Sequence, residues 1–290
     1  ISQAIAPSAG PASTTVLRNL GSVKNTGIEA SIQAQLVDTR RFGWDVTLAG
    51  THESNKLVSL GVDANGVPNK TIGTGSLRDS VGLPVNAYTY RRFTYSDVNH
   101  DGFITANEIT VDPNFSYIGY SMPRDIASIS NGFDLFNRMV RINSLFDYKG
   151  GGLLVNTDLA FQCNNTPRSC VDVSTPGASL EHQADALAQS GPFTGQSTTA
   201  VGYTQPLQFW RFRELSATVT LPKRISTGWL RSESAALTFA GRNLHTWTHY
   251  RGIDVEENGV PIFAFSNDVQ NTTFSQGLRR YFTARLTLHY

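Results

Sequence analysis

A chain of 290 residues carries 24 Lys+Arg against 23 Asp+Glu, a formal net charge of +1, so no net field draws it to nucleic acid. Charged residues make up 16% and hydrophobic residues 40%, with 25 glycines; this composition excludes a charged disordered tail, a coiled coil and a helical membrane bundle, and suits an all-β chain with long loops. No window approaches the roughly 18 continuous apolar residues of a membrane-spanning helix, whereas spanning strands, whose signal is only alternation, stay open.

The first clear alternation runs over residues 27–37. Ile28, Ala30, Ile32, Ala34 and Leu36 share one face, and Glu29, Ser31, Gln33 and Gln35 the other. Period-two patterning predicts a strand with one apolar and one polar side. A turn at 40–43 leads into a strand with Trp44, Val46 and Leu48 against Asp45, Thr47 and Thr51. A long excursion, 59–122, follows. Within it, Asp97-Val98-Asn99-His100-Asp101-Gly102-Phe103-Ile104-Thr105-Ala106-Asn107-Glu108 fits the calcium-loop pattern. Asp97, Asn99, Asp101, Thr105 and Glu108, with the Phe103 carbonyl, would supply the oxygens a hard cation needs, and Gly102 the sharp turn. The flanks are not those of a helix pair, because 88–95 reads as β and Val111-Asp112-Pro113 blocks a long helix. The other reading is an Asp/Asn/Gly turn without metal.

A second hairpin joins 125–133 to 138–148 around 134–137. The next excursion, 149–208, opens on Gly150-Gly151-Gly152, read as a strand-to-loop bend. It carries Cys163 and Cys170, with no nearby His or second Cys pair to complete a zinc site. Their simplest reading is a loop-closing disulfide in an oxidising compartment, and two buried free thiols are the alternative. A short helix is also expected here. Thr175 would cap it, Pro176 would take the first position, and Leu180, Ala184 and Leu187 would share a face before Gly191; the alternative is an irregular loop. A third hairpin joins 209–221 to 234–244 around 222–231. After a last excursion, 245–279, a final strand runs over 280–290. There Phe282, Ala284, Leu286 and Leu288 align with the terminal Tyr290, opposite Tyr281, Thr283, Arg285, Thr287 and His289.

About seven strong strands result, with short turns on one side and long excursions on the other. Polar faces bearing Glu29, Gln33, Gln35, Arg211, Arg213 and Arg285 are too wet for a packed core. Apolar-out, polar-in is the pattern of an outer-membrane barrel, which tolerates long loops on its extracellular side. The expected fold is all-β, an antiparallel transmembrane β-barrel portion over 1–290. Ile28, Ile32, Leu36, Leu286 and Leu288 would meet lipid, and Glu29, Gln33, Gln35, Arg285 and Thr287 the lumen. Arg211 and Arg213 would line the lumen, or pair with Glu29, Glu214 or plug carboxylates. Trp44, Trp210, Trp229, Trp247, Tyr250 and Tyr290 near strand ends suit interfacial girdles; sugar stacking by Tyr88, Tyr90 or Trp247 is a second use. Complete barrels have an even strand count and periplasmic termini, so seven strands ending there begin outside and imply sequence before Ile1. No His pair at ligand spacing, no nucleophile triad and no phosphate loop argues for an enzyme.

Four segments carry a resemblance. Asn19-Leu20-Gly21-Ser22-Val23-Lys24-Asn25-Thr26-Gly27-Ile28-Glu29 resembles the strand entry N-G-x-V-x-N-x-G-I-E of SusC/RagA-like TonB-dependent transporters. Gly241-Arg242-Asn243-Leu244-His245-Thr246-Trp247-Thr248-His249-Tyr250-Arg251-Gly252-Ile253-Asp254 resembles their G-R-N-L-x-x-W-T-x-Y-x-G-x-D segment. Phe209-Trp210-Arg211-Phe212-Arg213-Glu214-Leu215 is similar to the strand before it, and Ile118-Gly119 with Pro123 to the re-entry after an aspartate-rich loop. The departure is Val255-Glu256, where the family has Pro-Glu. The family fold is a barrel of about 22 strands around an N-terminal plug, preceded by a TonB box. Neither plug nor TonB box is visible here, so the resemblance implies the C-terminal part of such a barrel. It further implies import of an oligosaccharide or peptide across the bacterial outer membrane, with a SusD-like lipoprotein and TonB as partners, and transport in place of catalysis. A non-transporting, secreted or surface calcium-binding β protein with a structural or adhesive role is the rival class.

Overall fold

A computed structural model of the protein describes residues 2–4, 15–17, 21–63, 66–72, 77–164, 170, 173, 175, 177–188, 200–256 and 276–290. The strands, in chain order, are β1 (Ser2–Ala4), β2 (Thr15–Leu17), β3 (Ser22–Asp38), β4 (Phe42–Ser59), β5 (Thr71–Ile72), β6 (Leu77–Ser80), β7 (Ala87–Tyr95), β8 (Ile109–Gly119), β9 (Asp125–Leu135), β10 (Val140–Val155), β11 (Thr204–Thr220), β12 (Ser234–Thr248) and β13 (Tyr281–His289). The helices α1 (Thr157–Asn164) and α2 (Leu180–Ala188) lie between β10 and β11. The main sheet has seven strands in the order β13-β12-β11-β10-β9-β4-β3. Every neighbour pairing in it is antiparallel. It is an open portion of a barrel, with β3 and β13 as its edges among the described residues. A four-stranded sheet, β5-β6-β7-β8, fills the excursion between β4 and β9, and β1 pairs with β2.

Residues directly opposite one another in such a ladder share a face. One row therefore reads Ile32, Leu48, Ile129, Phe146 and Phe212 across β3, β4, β9, β10 and β11. The adjacent row reads Gln33, Thr47, Ser130, Leu145, Glu214, Arg242 and Tyr281. One face of the sheet is apolar and the other polar, as the alternation predicts. The apolar face has no protein layer over it among the described residues. Ile28 is 74% exposed, Ile32 63%, Phe282 74% and Leu286 51%. A soluble sandwich would bury this row against a second sheet; here the packed clusters lie elsewhere, at the loop end. There Leu154, Leu207, Phe209, Tyr250 and Val255 form one cluster, and Ile104, Ile109, Ala184 and Ala188 another.

Bulges adjust the alternation at several places, and three of them bear on the residues singled out above. A register shift between Gln35 and Val37 drops Leu36 out of the ladder, so Val37 and not Leu36 stands opposite Trp44. The Gln35 amide donates to the Val37 and Trp44 carbonyls and holds this kink. A second shift, between Phe212 and Glu214, sets the bulge at Arg213 against Asn243 and Leu244. Asn243 takes φ 54°, a left-handed conformation that Asn tolerates better than most side chains. The third is the glycine run. Gly151 (φ 75°) lies at a shift between Lys149 and Gly152 inside β10, so the run is a bulge within a strand that continues to Val155, not a bend ending it. The second excursion of the main sheet therefore covers 156–203, shorter than 149–208. Likewise the β9–β10 turn is 136–139, two residues later than 134–137, because Asp134 stays in the ladder opposite Arg141. Gly27 explains its own motif: a Cβ there would stand 2.7 Å from the His52 carbonyl oxygen.

Candidate functional site

The most elaborate chemistry lies on the polar face at the loop end. β11 presents Arg211, opposite Asp147 of β10, and the bulge turns Arg213 to the same side. The chain after β12 folds back over them. Arg211, 1% exposed, pairs with Asp254, and its Nη1 lies 3.4 Å from Glu256. Arg213 pairs with Asp147 and also reaches Glu256 at 2.9 Å. Lys149 Nζ reaches Glu256 at 2.9 Å. Asp254 further accepts from the Glu256 and Leu278 backbone N–H groups, at 2.9 and 3.0 Å. Val255 sits between the two acids and is buried among Leu154, Leu207, Phe209 and Tyr250. Burial works to raise the Glu256 pKa, but Lys149 and Arg213 outweigh it and hold the carboxyl below the usual range. The clamp thus fixes 250–256 against the sheet by three cations and three carboxylates. Its acidic partners are Asp147, Asp254 and Glu256, not Glu29 or Glu214; Glu214 instead pairs with Arg242.

Farther toward the turn end, the same face holds Arg141 between Asp45 and Asp134, at 2.8 and 3.1 Å. Gln33, Gln35 and Arg285 lie on this face in register with Thr47, Asp45 and Thr238. Glu29 lies there too and lines an open cleft of about 680 Å³ with Asn25, Glu53, Asn55, Tyr120 and Arg124. Arg124 stands over the Tyr120 ring, 4.7 Å from its centroid. Together these groups make a surface able to hydrogen-bond a polar solute along the sheet.

The apolar face bears aromatics in stacked groups. Phe146 and Phe212 centroids are 4.4 Å apart, Tyr148 and Trp210 5.1 Å, and Phe146 and Trp247 6.3 Å. Trp44 stacks on Phe133 toward the other end, and its indole N–H donates to Asn131, a polar group on this face. Trp247 therefore belongs to the apolar face and not to a sugar-stacking loop. Tyr88 and Tyr90 are buried at 0% and 1%, with rings stacked 5.9 Å apart, and cannot stack on a ligand. Tyr250, also buried, is part of the loop-end cluster and not of an interfacial girdle.

In the loop 97–108 the side-chain oxygens serve the loop's own backbone. Asp97 accepts from the Asp101 and Gly102 N–H groups, Asn99 from Asp101, and Asp101 from Phe103. Glu108 turns back to accept from the Val98 N–H and from the N–H and hydroxyl of Thr105, all at 2.9 Å. The backbone N–H of Thr105, then its hydroxyl, hold the Glu108 pKa below the usual carboxylate range. No group of three or more His, Cys, Asp and Glu gathers to hold a metal among the described residues. A calcium ion would use the lone pairs left on Asp97, Asn99 and Asp101 and draw Glu108 off Thr105; that remains a proposal.

The loop is tied to α2. Gln183 Oε1 accepts from Ile104 N–H and its amide donates to the Gly102 carbonyl, at 3.0 and 3.1 Å. Leu180, Ala184 and Leu187 share the face that packs on Ile104, Ile109, Phe93 and Val111. The helix starts at Leu180, where Ser179 Oγ accepts from His182 N–H, and not after Thr175; Pro176 and Gly191 lie outside the described residues. Cys163 and Cys170 are joined by a disulfide and buried with Ala186 and Tyr203. Asp185 of α2 is pushed up to about 7, first by burial and then by Glu181.

No family model matches the chain, and no curated protein matches it. Solved structures do. The chain is similar to the RagAB peptide transporter, with a TM-score of 0.60 and 17% identity over 87% of this chain. It is similar to the RagAB peptide importer in its "open-open" state (TM-score 0.64, 18% identity, 89% of this chain) and in its "closed-closed" state (0.63, 17%, 89%). It spans about 29% of the length of each of these chains. At this identity the likeness is one of fold: the open sheet and its excursions have the architecture of a part of those transporters.

Proposed function

We propose that this chain is the C-terminal barrel portion of a SusC/RagA-like, TonB-dependent outer-membrane importer of an oligosaccharide or peptide. The observation that carries the reading is the seven-strand register, with an uncovered apolar face on one side and a charged, hydrogen-bonding face on the other. In a barrel wall, the first would meet outer-membrane lipid and the second a polar lumen. Among the described residues, β3 and β13 have one neighbour each, and the remaining strands of a barrel would pair their outer edges. Glu29, Gln33, Gln35, Arg285 and the Arg211–Asp254 clamp would line the lumen, against a plug supplied by the rest of the protein. The fold shared with part of RagAB supports the same reading. By that analogy a SusD-like lipoprotein would cover the loop end, and TonB would act on the plug.

The test is uptake by cells carrying or lacking the intact gene, with and without TonB. Import of oligosaccharide or peptide that depends on both supports the proposal. Uptake that is indifferent to TonB, or a protein recovered outside the outer membrane, overturns it.

A further inference from the structure

The turn end of the sheet differs in charge from the rest of the molecule. On the polar face, Arg141, Arg211, Arg213 and Arg242 are each paired with carboxylates. Among the described residues, only Arg138 is paired at the turn end, with Asp38. Arg40 and Arg41 in the first turn, and Lys223, Arg224 and Arg231 in the last, are exposed. None of these five has an ion pair among the described residues. Glu233 is the one nearby carboxylate in these turns besides Asp38.

Large apolar side chains stand among these cations. Trp229 is 88% exposed, Phe136 69% and Ile225 41%. Trp229 is not on a loose loop. Its backbone N–H donates to the Ile225 carbonyl at 3.0 Å, the Thr227 backbone N–H to the Lys223 carbonyl, and that of Ser232 to the Ser226 carbonyl. Ser226 and Ser232 are buried beneath the turn. A Cβ on Gly228 would stand 2.6 Å from the Arg224 carbonyl, so the tight path needs glycine. A rigid turn that holds a tryptophan outward presents it to something.

What it meets follows from the order of chemistries along the sheet. The last rungs of the apolar face are Phe42 opposite Leu135, and Ala235 opposite Leu288. The turns beyond them carry the exposed aromatics and the unpaired cations together. An apolar face that gives way to aromatics and cations is the profile of one membrane leaflet, from acyl chain to the glycerol and phosphate level.

We propose that the turn end is a binding surface for anionic phospholipid headgroups. Lys223, Arg224, Arg231, Arg40 and Arg41 take phosphate oxygens, and Trp229 and Phe136 sit at the glycerol level. The inference rests on the barrel reading above and adds a lipid partner to it. A soluble acidic protein is the competing occupant, but it would leave unexplained why the cations and exposed aromatics adjoin the end of the apolar face.

The intact protein is placed in bilayers of phosphatidylcholine alone, or mixed with phosphatidylglycerol, with bromine on the acyl chains of one lipid at a time. The Trp229 signal is the difference between wild type and Trp229→Phe. Brominated phosphatidylglycerol is expected to quench it more strongly than brominated phosphatidylcholine. The preference should fall with salt, and by about fivefold in relative affinity per charge removed in Lys223→Gln, Arg224→Gln and Arg231→Gln. Inorganic phosphate should not displace it. Trp210 and Trp247, on the apolar face, are the control, quenched by either lipid. If they are not quenched, the barrel reading itself fails. If they are quenched and Trp229 shows no headgroup preference, stays open to aqueous iodide, or loses its preference to inorganic phosphate, this proposal is overturned and the barrel reading stands.

Discussion

Removing the Asp254 carboxylate should free the 250–256 segment from the sheet without unfolding the strands. Asp254 is the principal partner of Arg211, which is 1% exposed. Taking one partner from a buried ion pair costs about 3–5 kcal/mol, because the remaining charge is stranded. Glu256 still lies 3.4 Å from Arg211, which argues for the low end, about 3 kcal/mol. Asp254 also accepts from two backbone N–H groups, of Glu256 and Leu278, worth roughly 0.5–1.5 kcal/mol each. Asp254→Ala should therefore lower the local opening free energy by about 4 kcal/mol, roughly a thousandfold in amide exchange. The assay is native-state hydrogen exchange on the intact protein, read at the Glu256 and Leu278 amides, with Ile32 and Leu48 in the sheet as references. The paired replacement Arg211→Met with Asp254→Leu should recover most of the protection, since it leaves no stranded charge. If Asp254→Ala changes those amides by less than about threefold, the clamp is not what holds the segment, and the reasoning fails.

The remaining predictions concern the excursions. Replacing Cys163 and Cys170 by alanine should loosen α1 and its contacts with Tyr203 by about 2–4 kcal/mol and leave the main sheet unchanged, as limited proteolysis would reveal. Asp185 has a folded pKa raised to about 7 from 3.8, so its folded state binds the extra proton and α2 docking weakens as pH rises from about 4 to 7. Asp185→Asn should flatten that dependence and raise exchange protection of α2 at pH 8. Glu108 has the opposite sign: its depressed pKa means that its contribution is present above about 4.5 and is lost as pH falls through the folded value. Calcium titration of the intact protein should give millimolar or tighter binding that Asp101→Ala removes; heat-silent titration with unchanged exchange at 97–108 would leave the plain turn.

The strands were legible because period-two alternation runs through 27–35, 214–221 and 281–289 whatever the rest of the chain does. The Leu180, Ala184 and Leu187 face was legible for the same local reason. What escaped is long-range or sits in a bulge. Alternation alone cannot place Leu36 off the ladder, nor turn Arg213 and Glu214 to one face, because a bulge depends on the partner strand. Of the acids that hold Arg211 and Arg213, Asp254 and Glu256 each lie 43 residues from the arginine they bind, and Asp147 lies 66 from Arg213. Their only local mark is Asp254 and Glu256 flanking apolar Val255. The burial of Tyr88 and Tyr90 depends on Leu153 and Val155 from another strand, which no window around residue 88 contains.

The central claim is that one face of this sheet meets lipid and the other an aqueous lumen. Single cysteines placed in turn at Ile28, Glu29, Ile32, Gln33, Leu286 and Thr287 of the intact protein, each carrying an environment-sensitive probe, test it most directly. Spectra from membranes with a lipid-soluble and an aqueous quencher should alternate residue by residue. Ile28, Ile32 and Leu286 should be quenched from the lipid, and Glu29, Gln33 and Thr287 from water. Equal quenching on both faces, or apolar positions sealed from both quenchers in a dry protein interior, would contradict the account.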